Sequence, residues 1–329
     1  MSALDLSATK CHPLEMPNCD SKDARLRLDC RTGASVSIFN SRVFVFGGAT
    51  LELEIPQDFT LETIRSVFKT TLELSANENR HTEYNQYLSA ECFRLSLISR
   101  KWNHYKTNSS STLETPPARF FHAMCVYDNY IYISGGINFS NDNKPEVLND
   151  LWRFDSIDRQ WKCIYENGNS ELLKRYDHIM LMLPNLEMFD KSLIQPGICM
   201  VGGVGEDGQY HQALDLFDMS TLKVYEKEHP NLSEFRHSRQ GNSEEEHLKI
   251  RHSLNAFYPE LCSNTNDLRL YGFCKTPDPV EFEPLLVFTN SCKGVRYSHN
   301  SNFDISDISS LQFPTIGVFG ENILVIGFI

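Results

Sequence analysis

An all-β fold built from repeated four-stranded antiparallel sheets, the architecture of a β-propeller, is the fold class this sequence predicts, and three observations carry the prediction. The first is one unit, Pro116–Trp161. The second is its recurrence 88 residues earlier in the chain without a gap in the hairpin. The third is a looser copy that begins at Arg175.

Within the unit, Met124–Tyr127 and Tyr130–Ser134 are apolar, β-rich runs separated by Asp128-Asn129, the spacing of a tight hairpin. Gly135-Gly136 ends the second strand, and Leu151–Asp155 and Trp161–Tyr165 flank the polar turn Ser156–Gln160. Four short strands with a Gly-Gly after the second and a Trp opening the fourth make one blade. Adjacent glycines permit positive φ and close approach of a neighbouring backbone. The Trp offers the wide apolar surface that one sheet needs to pack on the next.

In the first copy Arg119 becomes Arg31, Asp128-Asn129 becomes Asn40-Ser41, and Gly135-Gly136 becomes Gly47-Gly48. Trp161 corresponds to Trp102 once the loop after Gly48 is allowed 29 extra residues. In that insertion Leu61, Ile64, Val67 and Phe68, within Phe59–Leu74, recur at helical spacing and predict a short amphipathic helix. Tyr87–Leu97 resumes the strand pattern. In the third copy Arg175 and His178 repeat Arg119 and His122, Ile198–Val201 with Gly202-Gly203 repeats the second strand, and Leu214–Asp218 repeats Leu151–Asp155. Val224 stands where the Trp is expected. Weaker echoes follow at Leu270–Phe273 with Leu286–Arg296, and at Gly317–Phe319 with Ile323–Ile326.

The chain therefore divides into a polar N-terminal arm over 1–24, three clear blades over 25–225, a polar loop or linker over 226–250 with the run Glu244–Glu246, and degenerate blades over 251–329, the last incomplete. About four to five blades in a partial ring are expected, with a short helix in one insertion. The last apolar run ends where two further strands should pair. An unpaired apolar edge is one that folded sheets avoid. On that ground the chain reads as the N-terminal part of a longer protein, or as one lacking its ring closure.

The net charge of −12 disfavours phosphate-backbone binding, which rests on Lys and Arg clusters, so no nucleic-acid partner is expected. Ten cysteines are scattered, several within apolar strands, as small buried hydrophobes would be. The first residues contain no apolar signal core and no run approaches membrane-spanning length, so the reading is an intracellular, cytoplasmic protein without a membrane partner.

Few residues offer chemistry. Gly203–Gly208 fits G-x-G-x-x-G, but a dinucleotide site needs a helix start facing the pyrophosphate. Here a strand-like run follows, and Glu206 and Asp207 would repel phosphates. Cys11, His12, Cys19 and Cys30 lack the close pairing of zinc sites. His122 and His178 recur at one blade position, which favours hydrogen bonding between blades over catalysis. No catalytic, cofactor-binding or metal residue is singled out, and no cofactor is implied.

The repeat resembles a kelch repeat. Two stretches, Arg25–Pro56 and Leu88–Tyr105, resemble more narrowly the N-terminal kelch region of the fungal negative regulators of sporulation. That resemblance implies a large cytoplasmic protein linked to nutrient and growth-control signalling, and a family without enzymatic activity. The expected function is thus a non-enzymatic scaffold that binds partner proteins through its blade loops and the insertions at 49–88 and 226–250. The alternative is a propeller enzyme or carbohydrate-binding module of the kelch oxidase type, which would want a secretory signal and copper ligands.

Overall fold

The computed structural model describes residues 2–5, 10–13, 31–39, 41–54, 60–75, 83–105, 115–166, 173–183, 196–209, 211, 214–227, 254–262, 267–275, 282–287, 312–319 and 322–328. Strands dominate them. The first sheet joins β3 (Ser35–Phe39), β4 (Arg42–Phe46), β5 (Cys92–Ser96) and β6 (Lys101–Tyr105), each antiparallel to the next. The second joins β7 (Ala123–Tyr127), β8 (Tyr130–Ser134), β11 (Asp150–Asp155) and β12 (Gln160–Glu166). A two-stranded ribbon, β9 (Ile137–Phe139) with β10 (Pro145–Val147), rises between β8 and β11. The third sheet is β13 (Arg175–Leu183), β14 (Gly197–Gly205), β15 (Leu214–Asp218) and β16 (Lys223–Lys227). Three further strands form the fourth: β17 (Leu254–Cys262), β18 (Asp267–Lys275) and β19 (Phe282–Val287).

The fifth sheet takes strands from both ends of the chain. Its order is β2 (Lys10–Pro13), β1 (Ser2–Asp5), β21 (Asn322–Phe328) and β20 (Gln312–Phe319). Ser2 faces Gly327 and Asp5 faces Leu324 in an antiparallel register. Residues 2–5 and 10–13 are thus strands where an irregular arm over 1–24 was expected, and β1 pairs with the edge of β21 that was expected to lie open. The innermost strands touch in succession, β3 to β7, β7 to β13, β13 to β17, β17 to β20, and β20 back to β3.

A stacked sheet buries both faces, so its middle strands read as unbroken apolar runs rather than alternating ones. In β4, Val43 and Val45 pack with Phe93 and Leu95 on one face, while Phe44 and Phe46 turn the other way, toward the second sheet. There they meet Ile131, Ile133, Trp152, Phe154 and Trp161. The second sheet's opposite face, with Cys125, Tyr132 and Leu151, packs on Met180, Ile198, Met200 and Phe217 of the third. Two-residue periodicity thus distributes one sheet's side chains between two neighbours.

Trp161 is 5% exposed, with its ring centroid 4.9 Å from Phe154 and 5.2 Å from Phe46 of the first sheet. It anchors one sheet to the next as well as filling its own. Trp161→Ala should therefore lower the unfolding free energy by about 3–5 kcal/mol in equilibrium denaturation. An unchanged curve would show that the ring is not the anchor. Trp102, at the matching place in β6, is half-buried beside Leu95.

The predicted helix is present as α1 (Leu61–Ser75). Thr60 caps it: the Thr63 N–H donates to Thr60 Oγ1 while Thr63 Oγ1 accepts from the Thr60 N–H, a reciprocal start signal. Its stripe of Ile64, Phe68 and Leu72 is buried against Phe120, Phe139, Val147, Tyr176 and Val204. The helix covers the β9–β10 end of the second sheet.

Candidate functional site

The repeated polar residues Arg31, Arg119 and Arg175, with Asp150, Asp215, His122 and His178, are buried in the joints between sheets. Each arginine donates from Nη1 to the carbonyl of the first glycine in its own blade's Gly-Gly. Arg31 reaches Gly47 at 3.1 Å, Arg119 reaches Gly135 at 3.0 Å, and Arg175 reaches Gly202 at 3.1 Å. The arginine backbone then binds the preceding blade, for the Gly48 N–H donates to the Arg119 carbonyl at 2.8 Å and the Gly136 N–H to that of Arg175 at 2.8 Å. A second thread runs through Gly33, Phe121 and Asp177: the Phe121 N–H donates to the Gly33 carbonyl at 2.7 Å and the Asp177 N–H to the Phe121 carbonyl at 2.8 Å. All three have positive φ, 67°, 54° and 55°. For the phenylalanine this is a rare conformation, held here by the hydrogen bond on either side.

The first glycine of the first two pairs has no room for a side chain, whereas a Cβ on Gly202 would meet nothing within 4 Å. A Cβ on Gly47 would lie 2.7 Å from the Arg119 carbonyl oxygen and 2.7 Å from His122 Cε1, and one on Gly135 would lie 2.3 Å from the Arg175 carbonyl oxygen. Room for the next blade explains Gly47 and Gly135, and positive φ is common to all three pairs.

The guanidinium charges are met by buried carboxylates. Arg119 holds Asp150 with two bonds of 2.7 Å, and Asp150 also accepts from Trp152 Nε1 at 2.9 Å. Arg175 pairs with Asp215. These acids come from unlike strand positions: Asp150 precedes the residue facing Ser134, whereas Asp215 follows the residue facing Val201. The sequence alignment of Leu214–Asp218 with Leu151–Asp155 therefore hides their common role. In the first sheet Glu91 takes the backbone place of Asp150, its carbonyl accepting from the Gly47 N–H as that of Asp150 accepts from Gly135. Its carboxylate instead meets His104 Nε2 at 2.5 Å.

His122 and His178 lie between blades, as their recurrence predicts, but their imidazoles do not make the expected hydrogen bond. Neither ring nitrogen of either residue has a partner among the described residues. The Arg carbonyls bridge the blades, and His122 acts by packing edge-on against Phe46 at 5.3 Å. Burial, reinforced by Arg119 beside His122 and by Arg175 beside His178, holds both well below the ordinary histidine pKa. Both rings are neutral in the folded protein and take up a proton on unfolding below about pH 6.5. The stability they permit is fully present above that pH and is lost as the pH falls. At about pH 5.5 the pair should cost about 3 kcal/mol relative to pH 7.5. Denaturation midpoints across that range test this, and His122→Phe should flatten the slope.

The G-x-G-x-x-G stretch, Gly203–Gly208, is the end of β14 and a turn. The Gly205 N–H donates to the Gln209 carbonyl at 2.8 Å and the His211 N–H to that of Gly203 at 2.9 Å. The described residues between β14 and β15 form no helix start, so the phosphate-binding geometry is not built. Of the cysteine and histidine group weighed as metal ligands, Cys11 and His12 lie in β2, while Cys19 and Cys30 fall outside the described residues. Among the described residues no group of three or more His, Cys, Asp or Glu could hold a metal ion. No described helix is long and apolar enough to cross a membrane. Of the two insertions read as partner surfaces, residues 228–250 fall outside the described residues. That at 49–88 buries the apolar face of α1 and exposes Glu62, Arg65, Lys69 and Glu73.

Residues 118–164 match the kelch motif family. The chain is similar to the negative regulator of sporulation MDS3 of Candida albicans, at 27% identity over 380 aligned positions that take in 100% of this chain and 26% of that protein. It is similar to the negative regulator of sporulation PMD1 of Saccharomyces cerevisiae at 32% identity over 240 positions, 67% of this chain and 13% of that protein. The chain thus spans about a quarter or less of the length of these relatives. It is an all-β, kelch-type propeller chain that resembles the kelch region of fungal negative regulators of sporulation.

Proposed function

We propose that this chain is a non-catalytic platform in the cytoplasm that holds partner proteins for a regulator restraining sporulation in response to nutrient and growth signals. The observation that carries the reading is the use made of its repeated polar residues. Arg119, Asp150, Arg175 and Asp215 are buried and bound to one another and to backbone inside the joints, where they hold blades together. What varies from blade to blade is the loops, and variable loops on a rigid repeat are where binding specificity is placed. Similarity to two proteins named as negative regulators of sporulation supports the regulatory output.

The test is affinity purification of the full-length protein after mild crosslinking, read by mass spectrometry. The expected result is a reproducible partner set that carries crosslinks to residues of this chain. Partners crosslinked only outside it, or none, would contradict the reading.

A further inference from the structure

The two ends of the sheets differ in what they expose. Among the described residues the large exposed hydrophobics are Leu74, Ile98, Tyr127, Ile157 and Leu222. All but Leu74 lie in the turns at the end away from the Gly-Gly joints. Ile98 is in the β5–β6 turn, Tyr127 opens the β7–β8 turn, Ile157 is in the β11–β12 turn and Leu222 in the β15–β16 turn. These turns are one structural set. The Leu97 N–H donates to the Ser41 carbonyl at 2.9 Å, and the Ser156 N–H to that of Asn129 at 2.9 Å, which ties outer turn to inner turn in successive blades. Arg100, Arg159 and Leu222 share the left-handed conformation, with φ of 54°, 57° and 56°.

Exposed cations follow each aliphatic residue in the chain: Arg100 and Lys101 after Ile98, Arg159 after Ile157, Lys223 after Leu222. Ile98 is 78% exposed and Ile157 69%, at equivalent turn positions of adjacent blades. The opposite end carries exposed Glu52, Glu54, Glu62, Glu73, Asp142, Glu146, Glu206 and Asp207 against the fewer exposed cations Arg65, Lys69 and Lys144, in a chain of net charge −12. Asp128 and Asp158 interrupt the cations in the second sheet, so the positive positions are discrete and not a continuous patch.

We infer that the outer turns of the first three sheets dock an extended segment of a partner protein in which acidic residues alternate with aliphatic ones. Such a segment is repelled by the acidic end and drawn to this one. Its aliphatic side chains cover Ile98, Ile157 and Leu222, while its carboxylates meet Arg100, Lys101, Arg159 and Lys223. The inference rests on the platform reading above and names the face and the partner chemistry.

A fluorescent synthetic peptide alternating Glu and Leu, titrated with the chain and followed by anisotropy, tests it. Ile98→Ser/Ile157→Ser and Arg100→Glu/Arg159→Glu alter exposed side chains, so both variants should fold. Each should weaken binding by about tenfold or more, and a Lys/Leu peptide should not bind. Affinity unchanged from the unsubstituted chain in either variant, no binding to the unsubstituted chain, or variant-sensitive binding to phosphatidylserine vesicles in place of the peptide would overturn the inference. So would a self-association that the substitutions abolish. Crosslinked partners that persist in both variants of the full-length protein would sink this face while leaving the platform reading standing. No partners for the unsubstituted protein would sink the platform reading itself.

Discussion

Arg119→Ala should lower the unfolding free energy by about 3–5 kcal/mol, because it removes one half of a buried ion pair and leaves the other without compensation. The Arg119 side chain is 0% exposed and that of Asp150 7%. Arg119 supplies both bonds to Asp150 and the bond to the Gly135 carbonyl. The remaining Asp150 would keep only the Trp152 indole N–H among the side-chain donors identified at its carboxylate. Burying an unpaired carboxylate is expensive, whereas replacing both partners by apolar groups of similar volume is often near neutral. Arg119→Met/Asp150→Leu should therefore recover a large part of the loss. Urea denaturation of the three proteins decides it. A single substitution costing under about 1 kcal/mol would show that the pair is not what holds the end of the second sheet.

Removing residues 2–13 should be comparably damaging. Four residue pairs join β1 to β21. At about one backbone hydrogen bond per pair and about 1 kcal/mol net for each, the deletion costs about 4 kcal/mol before any side chain is counted. It also bares the edge of β21, a template for intermolecular pairing. The shortened chain should melt earlier and scatter light at concentrations where the intact chain does not. A peptide of residues 1–14 added in trans should suppress the scattering. If the deletion protein stays monodisperse and melts with the intact chain, the pairing of the two ends does not stabilise the fold.

The turn Asp128-Asn129, the Gly-Gly pairs and the two flanking strands were legible in the sequence because each is set by local chemistry: a two-residue hairpin, positive φ and apolar runs. The helix was legible for the same reason, since Leu61, Ile64 and Phe68 repeat at its period. Where its apolar stripe lies, against Phe139 and Tyr176 of later blades, is a tertiary fact that periodicity does not contain. The arginine positions recur and could be aligned, but their acidic partners shift by strand position, so Asp150 and Asp215 were invisible as a pair set. The strands Ser2–Asp5 and Lys10–Pro13 were read as an arm because four polar-rich residues carry little strand signal. Their partner β21 lies at the other end of the chain. The histidines were placed correctly between blades, yet the type of contact was not, since a buried imidazole against Phe46 and one that hydrogen bonds look alike in sequence.

The account stands on the claim that the repeated Arg backbone sews the second blade to the first and the third to the second. Native-state hydrogen exchange at the Gly48 and Gly136 amides measures this directly. Both donate to the next blade's arginine carbonyl at 2.8 Å. They should exchange only through unfolding of the joined blades, with protection matching that of core amides in β4 and β8. Exchange at the rate of exposed turns would contradict the claim and would leave the first three sheets without the thread that joins them.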